Sequence, residues 1–203
     1  TIVDLITLLL TPESGEIIID GVESRKIKLD SWRHNIGFVS QDAVIFDDTI
    51  ANNICLWSED GDVNNNPESD ICEAARKAHI ADFIETLPDG YQTIVGDRGV
   101  RLSGGQRQRL FIARELFRKP SLLILDEATS ALDSDSEFEI QKSIDSLKGQ
   151  ITTIIIAHRF STIRNVDCIH VLDKGNLVES GDYNKLLNLP NSYFSKLAEK
   201  QKL

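Results

Sequence analysis

Several things are scarce in this 203-residue chain, and each scarcity narrows what it can be. Cysteine occurs three times, as Cys55, Cys72 and Cys168, with no CxxC spacing and no histidine beside any of them. An odd number so dispersed excludes a disulfide framework and disfavours a metal centre, so three reduced, mostly packed thiols in a cytosolic setting are expected. Basic charge is short: Lys and Arg total 22 against 32 Asp and Glu, a net charge of −10. Nucleic acid is therefore an unsuitable main partner, since phosphate backbones demand clustered cations. A nucleotide stays open, because backbone amides and one or two cations suffice for its few phosphates. No apolar run reaches membrane-spanning length, and Thr1 does not open a signal peptide. No internal repeat is present, and the low-complexity stretch 58–70 reads as a surface loop.

What is there is an α/β pattern, with apolar strands alternating with amphipathic helices around a largely parallel sheet. The opening "TIVDLITLLL" reads as a ten-residue helix, apolar nearly all round and so destined for a core. "GEIIIDG" predicts a short strand ending in an Asp-Gly turn, and "IGFVSQ" a second strand leading into a loop. Residues 69–87 predict one or two helices, with Ser69 or Asp70 as N-cap, broken by "LPDGYQ". "SLLILDE" and "TTIIIAH" are the continuous apolar runs of buried parallel strands. A helix opened by Ser134 lies between them, and another over "QRQRLFIARELF" ends at Lys119-Pro120. "CIHVLDKGNLVESG" predicts a hairpin turning at 174–176, and "DYNKLL" and "SYFSKLAEKQ" two closing helices.

Two short stretches carry chemistry. "LLILDE" delivers Asp126 and Glu127 to the carboxyl edge of a sheet, where open α/β sheets bind ligands. One carboxylate suits Mg²⁺ and the next suits activation of a water. "RLSGGQRQRL" places Ser103, Gly104 and Gly105 at a helix start, where free N–H groups and the dipole favour an anion. Read singly, the first could be an ordinary strand-end cap and the second a Ser-Gly-Gly turn. Their order and spacing, with "SQD" upstream and "IIIAHR" downstream, separate them from those readings.

Residues 102–106, 122–127, 130–133 and 158 resemble, motif by motif, the ATP-binding cassette of ABC transporters. The resemblance spans essentially the whole chain. It implies a P-loop NTPase-like, RecA-like sheet with an α-helical subdomain: an ATPase core over 1–45 and 116–203, and a helical subdomain over 46–115. It implies ATP and Mg²⁺ as ligands. Leu102 to Gln106, through Ser103, Gly104, Gly105 and Gln106, would be the signature motif that meets the γ-phosphate bound by the opposite cassette. Asp126 would support Mg²⁺, and Glu127 would be the general base. Gln41 would be the Q-loop glutamine near metal and water, and His158 the switch histidine. Ser130 to Asp133 would be the D-loop, with Asp133 linking the two sites of the dimer. Such a set suits phosphoryl transfer to water, which needs positioning and charge neutralisation more than covalent chemistry.

"VGDRGVRLSGGQ" resembles the segment by which exporters of this family meet their membrane helices, with Asp97 where Glu is usual and Arg98 beside it. The partners implied are the transmembrane domain of an exporter and a second cassette, at the cytoplasmic face of a membrane. A soluble ABC ATPase is the competing reading. The spacing of about sixty residues between Gln41 and the signature and the acidic charge argue against it. A non-catalytic cassette remnant, serving as a binding module, is the other.

One element of the family is missing from these residues: G-x-x-x-x-G-K-[ST] occurs nowhere. The family's helix after that cradle reads much like "TIVDLI", so Thr1 is expected to follow it and to offer a hydroxyl to an α-phosphate. The feeding strands and the P-loop would then precede Thr1, and residues 1–203 alone would fold poorly and hydrolyse little ATP.

Overall fold

Leu122 to Leu125 are buried on both faces, as their unbroken apolar run predicts, and the rest of the sheet is arranged around them. The computed structural model describes residues 1–40, 43–57, 67–97, 99–127, 133–157, 159–190 and 192–201. Its elements in chain order are α1 (Ile2–Ile6), β1 (Ile18–Ile19), β2 (Val22–Glu23), α2 (Leu29–His34), β3 (Ile36–Val39), β4 (Asp48–Thr49) and α3 (Ile50–Cys55). There follow α4 (Pro67–Lys77), α5 (Ala81–Glu85), β5 (Ile94–Val95), α6 (Gly104–Phe117), β6 (Leu122–Asp126), α7 (Ser134–Ser146) and β7 (Thr152–Ile156). β8 (Ile169–Asp173), β9 (Asn176–Gly181), α8 (Tyr183–Asn188) and α9 (Tyr193–Gln201) complete it.

β6 is the centre of a parallel sheet ordered β3-β6-β7, with Val39 opposite Leu125 and Asp126 opposite Ile156. Alternate residues serve opposite sides. Leu123 and Leu125 join the large core made with α3, α4, α6 and α7, whereas Leu122 and Ile124 pack with Ile36 and the side chains of Val3, Ile6 and Trp32. Among the described residues the chain forms two compact units, one up to Ile156 and one from Ala157 onward. The second unit is the β8–β9 hairpin with α8 and α9, around Ile169, Val171, Leu186 and Phe194. No helix among the described residues is long and apolar enough to cross a membrane.

The structure corrects three expectations. α1 stops at Ile6 and buries no residue completely. Leu8 turns into the left-handed region (φ 55°), Thr7 Oγ1 donates back to the Val3 carbonyl at 2.9 Å, and Trp32 Nε1 donates to the Ile6 carbonyl at 2.8 Å. Leu9 and Leu10 are therefore exposed. α4 starts at Pro67, a residue suited to a first helical turn, and neither Ser69 nor Asp70 caps it. Asp70 is buried and holds Lys119 Nζ at 3.2 Å instead, tying α4 to the loop before β6. The cysteines are free, but Cys168 is exposed and the other two only half-buried. The Asp20-Gly21 and Lys174-Gly175 turns form as predicted, each with two positive φ angles joining antiparallel strands.

Glu115 on α6 braces the sheet: its carboxylate accepts the Phe38 N–H at 3.2 Å, and β3 approaches so closely at Gly37 that a Cβ there would lie 3.1 Å from Glu115 Cβ. Burial pushes this carboxyl up from 4.5, against the pull of the Phe38 N–H and of Arg118 and Arg114. A raised acid contributes stability that is complete below the unfolded value and lost as pH rises through the folded one. Glu115→Gln, which keeps an acceptor for Phe38, is therefore expected to melt higher than wild type at pH 7. The gap should close as pH falls below the ordinary glutamate range; a gap unchanged between pH 7 and pH 4 would contradict this.

Candidate functional site

The carboxylates at the end of β6 are placed by the strand itself. Asp126 is its last residue, and Glu127 turns out of it with φ 51°, while its N–H still donates to the Ile156 carbonyl at 2.9 Å. Both are half-buried at the sheet edge. Hard oxygen donors of this kind fit Mg²⁺, which takes one or two protein carboxylates and completes its shell with water and phosphate oxygens. The described residues gather no group of three or more His, Cys, Asp or Glu that would form a closed protein cage. Gln41, Arg98, Ser130 and His158, and with Ser130 most of the proposed D-loop, lie outside the described residues.

The signature turn is built as a helix start. Ser103 is the N-cap of α6: its Oγ accepts the Gln106 N–H at 3.2 Å, and Gln106 Oε1 accepts the Ser103 N–H at 2.8 Å. This reciprocal pair engages two backbone donors. It leaves the N–H groups of Gly104 and Gly105 without an intrahelical acceptor and the Ser103 hydroxyl proton free to donate. Leu102 is buried and anchors the turn, and Ser103 is exposed.

Gly105 touches the start of α7. A Cβ on Gly105 would lie 2.5 Å from Ser136 Cβ, so the backbones of the two helices meet there because neither can carry more bulk. α7 opens at Ser134 as expected, and Asp133 caps it: its Oδ1 accepts the Ser136 N–H at 2.9 Å and its Oδ2 accepts the Ser136 hydroxyl at 3.0 Å. Those two donors hold the Asp133 carboxyl below the usual range. The structure thus joins Gly105 and Asp133 through Ser136, a residue that nothing in the sequence singled out. Thr1 stands exposed at the N-cap position of α1, and no described contact joins its side chain to the other candidates.

A groove of about 590 Å³ opens beside the signature turn, lined by Phe46, Asp47, Asp97, Arg101 and Arg107, with Ile45, Gly96 and Leu102 at its floor and edges. Asp47 organises it: its Oδ1 accepts the Asp97 N–H at 2.6 Å, and Gly96 (φ 106°) lets the loop pass against it where any side chain would collide. Arg107 Nη1 donates to the Leu102 carbonyl at 3.2 Å. Asp97, proposed from the sequence, is here; Asp47 and the two arginines were missed, since fifty residues separate Asp47 from Asp97.

A strand-end carboxylate pair, a capped Ser-Gly-Gly turn, and a following helix packed against that turn are the geometry of an ATP-binding cassette on a parallel sheet. The chain belongs to the ABC transporter family, whose model matches residues 1–130. It is 46% identical over 201 residues to an ATP-dependent lipid A-core flippase of Methylobacillus flagellatus, covering 99% of this chain and 34% of that protein. It is 43% identical over 201 residues to ABC transporter B family member 19 of Arabidopsis thaliana, covering 99% of this chain and 16% of the other. Among solved structures, a bacterial Atm1-family ABC exporter with ATP bound superposes with a TM-score of 0.84 at 40% identity, over all of this chain and 35% of that one. The chain therefore spans about a third or less of the length of these relatives. The α/β nucleotide-binding fold and the exporter-type resemblance expected from the sequence are borne out.

Proposed function

We propose that this chain is the ATP-hydrolysing cassette of an ABC exporter, working in a pair of cassettes at the cytoplasmic face of a membrane. The observation that carries the reading is the Ser103 capping box, which leaves the Ser103 hydroxyl exposed and the Gly104 and Gly105 N–H groups without an intrahelical acceptor at a helix start. In the pair, these donors neutralise the γ-phosphate of the nucleotide held by the opposite cassette. Mg²⁺, when bound, supplies charge neutralisation for the β- and γ-phosphates, and Asp126 is the residue that would hold it. Glu127 orients the attacking water and takes its proton. Gln41 and His158 serve the same water and phosphate, Thr1 offers its hydroxyl to an α-phosphate, and Asp133 relates the two sites across the dimer. Residues 46–115 form the helical subdomain, and 1–45 with 116–203 the ATPase core. The groove at Asp97 receives a cytoplasmic loop of the membrane domain, which Arg98, next in sequence, would also meet; the groove's polar walls and the exposed rings of Phe46 and Trp57 suit such a partner.

Ser103→Asp tests the phosphate contact apart from the fold. Aspartate caps helices about as well as serine, so the melting temperature should hold. The added negative charge opposes the γ-phosphate, and ATP hydrolysis by the intact protein should fall about tenfold or more. Hydrolysis that survived Ser103→Asp unchanged would remove the signature turn from the site.

A further inference from the structure

The wall of the groove has an unusual support. Ile45, Phe46 and Asp47 line it, yet residues 44–47 pair with no strand among the described residues; pairing begins at Asp48, opposite Val95. Their backbone is held by two buried side chains. Asn53, with none of its surface exposed, accepts the Phe46 N–H at 2.9 Å and donates to the carbonyls of Phe46 (2.9 Å), Thr49 (3.0 Å) and Asp48 (3.4 Å). Arg114, on α6, donates to the Val44 carbonyl (3.0 Å), the Asn53 carbonyl (2.8 Å) and Asn53 Oδ1 (3.2 Å).

All three of these guanidinium bonds go to amide oxygens. The group also lies between the rings of Phe46 and Phe111, whose centroids are 5.6 and 5.3 Å away. A buried guanidinium tolerates little slack in its hydrogen bonds, because losing one of these acceptors leaves a desolvated N–H unsatisfied. The groove wall is therefore fixed to α6 rather than resting on it. Arg114 stands eleven residues along the same helix from Ser103, about 16 Å at the rise of an α-helix.

We propose that Arg114 and Asn53 are positioning residues that carry a displacement of the groove wall along α6 to the signature turn. Pressure on residues 44–47 then moves Ser103, Gly104 and Gly105 as one piece with that wall. The proposal rests on the reading that the groove receives the membrane domain.

The test uses the intact protein with Arg114→Lys, which keeps the charge but loses the fan of donors. Asn53→Asp is the second variant: it keeps the Oδ1 acceptor, loses both Nδ2 donors, and serves where the first fails to fold. The expected result is a fall of about tenfold in kcat for ATP hydrolysis with KM for MgATP changed less than twofold. Amide exchange should rise both at 44–49 and at 103–106. Exchange that rose at 44–49 alone, with kcat unchanged, would show a purely local brace and overturn the proposal. The docking reading is tested separately, by disulfide cross-linking of Asp97→Cys to cysteines on the cytoplasmic loops of the membrane domain. Cross-linking with 103–106 unmoved by either variant sinks the positioning role. Both segments loosening, with no cross-link at any loop position, sinks the docking reading and leaves the mechanical link intact.

Discussion

A methyl group added at Gly105 is expected to cut ATP hydrolysis by the intact protein about a hundredfold, and removing the Ser136 side chain in the same protein to restore most of it. The new Cβ would stand 2.5 Å from Ser136 Cβ and 3.3 Å from its Cα, so α6 and α7 must separate or tilt. Overpacking of this kind costs about 1–3 kcal/mol in stability. The larger effect is geometric, since a shift near 1 Å in donors aimed at a reacting phosphate is worth about two orders of magnitude in rate. Ser136→Gly removes the two closest atoms and leaves only the backbone carbon, 3.3 Å from the new methyl, which a small shift can absorb. Rescue by Gly105→Ala with Ser136→Gly, read as kcat, would show that glycine is needed here for helix packing. A double variant as impaired as the single would show instead that the added methyl obstructs the phosphate itself.

Glu127→Gln is expected to lower steady-state hydrolysis by about 10²–10⁴-fold, the range general-base catalysis contributes. The amide keeps the size and the hydrogen-bonding reach of the carboxylate but cannot accept the proton of the attacking water. Binding of MgATP should change less than about twofold, because the nucleotide is held by phosphate contacts and not by this group. The left-handed turn at Glu127 tolerates glutamine as it does glutamate, so the melting temperature should hold. Equal losses in binding and turnover would assign Glu127 a structural part in the site and would leave the base to be found elsewhere.

Much of this was legible in the sequence, for reasons tied to particular residues. "LLILD" reads as a strand buried on both faces, and the structure adds its register against β3 and β7. The Ser103–Gln106 pair is a capping box in its letters as well as in space. The opening helix misled because its apolar residues surround the axis and contain no stop signal. Its end is set by Trp32 and Arg33, which bond to the Ile6 and Leu8 carbonyls from about 25 positions away. Asp70 looked like a cap because helix-start chemistry and ion-pair chemistry use the same carboxylate; Lys119, 49 residues on, decides between them. The groove and its support were hidden for the same reason. Asp47 with Asp97, and Asn53 with Arg114, are pairings across 50 and 61 residues whose members carry no local pattern.

The central claim is that the turn at Ser103 and the carboxylates at the end of β6 belong to a machine that hydrolyses ATP in pairs of cassettes. The most direct measurement is phosphate release by the intact protein in lipid vesicles, followed against MgATP concentration for wild type and Glu127→Gln. The account predicts a saturable, sigmoidal rise for wild type, since each site is completed by the other cassette, and almost no release from the variant. Absent release from wild type, or release that Glu127→Gln leaves untouched, would contradict it.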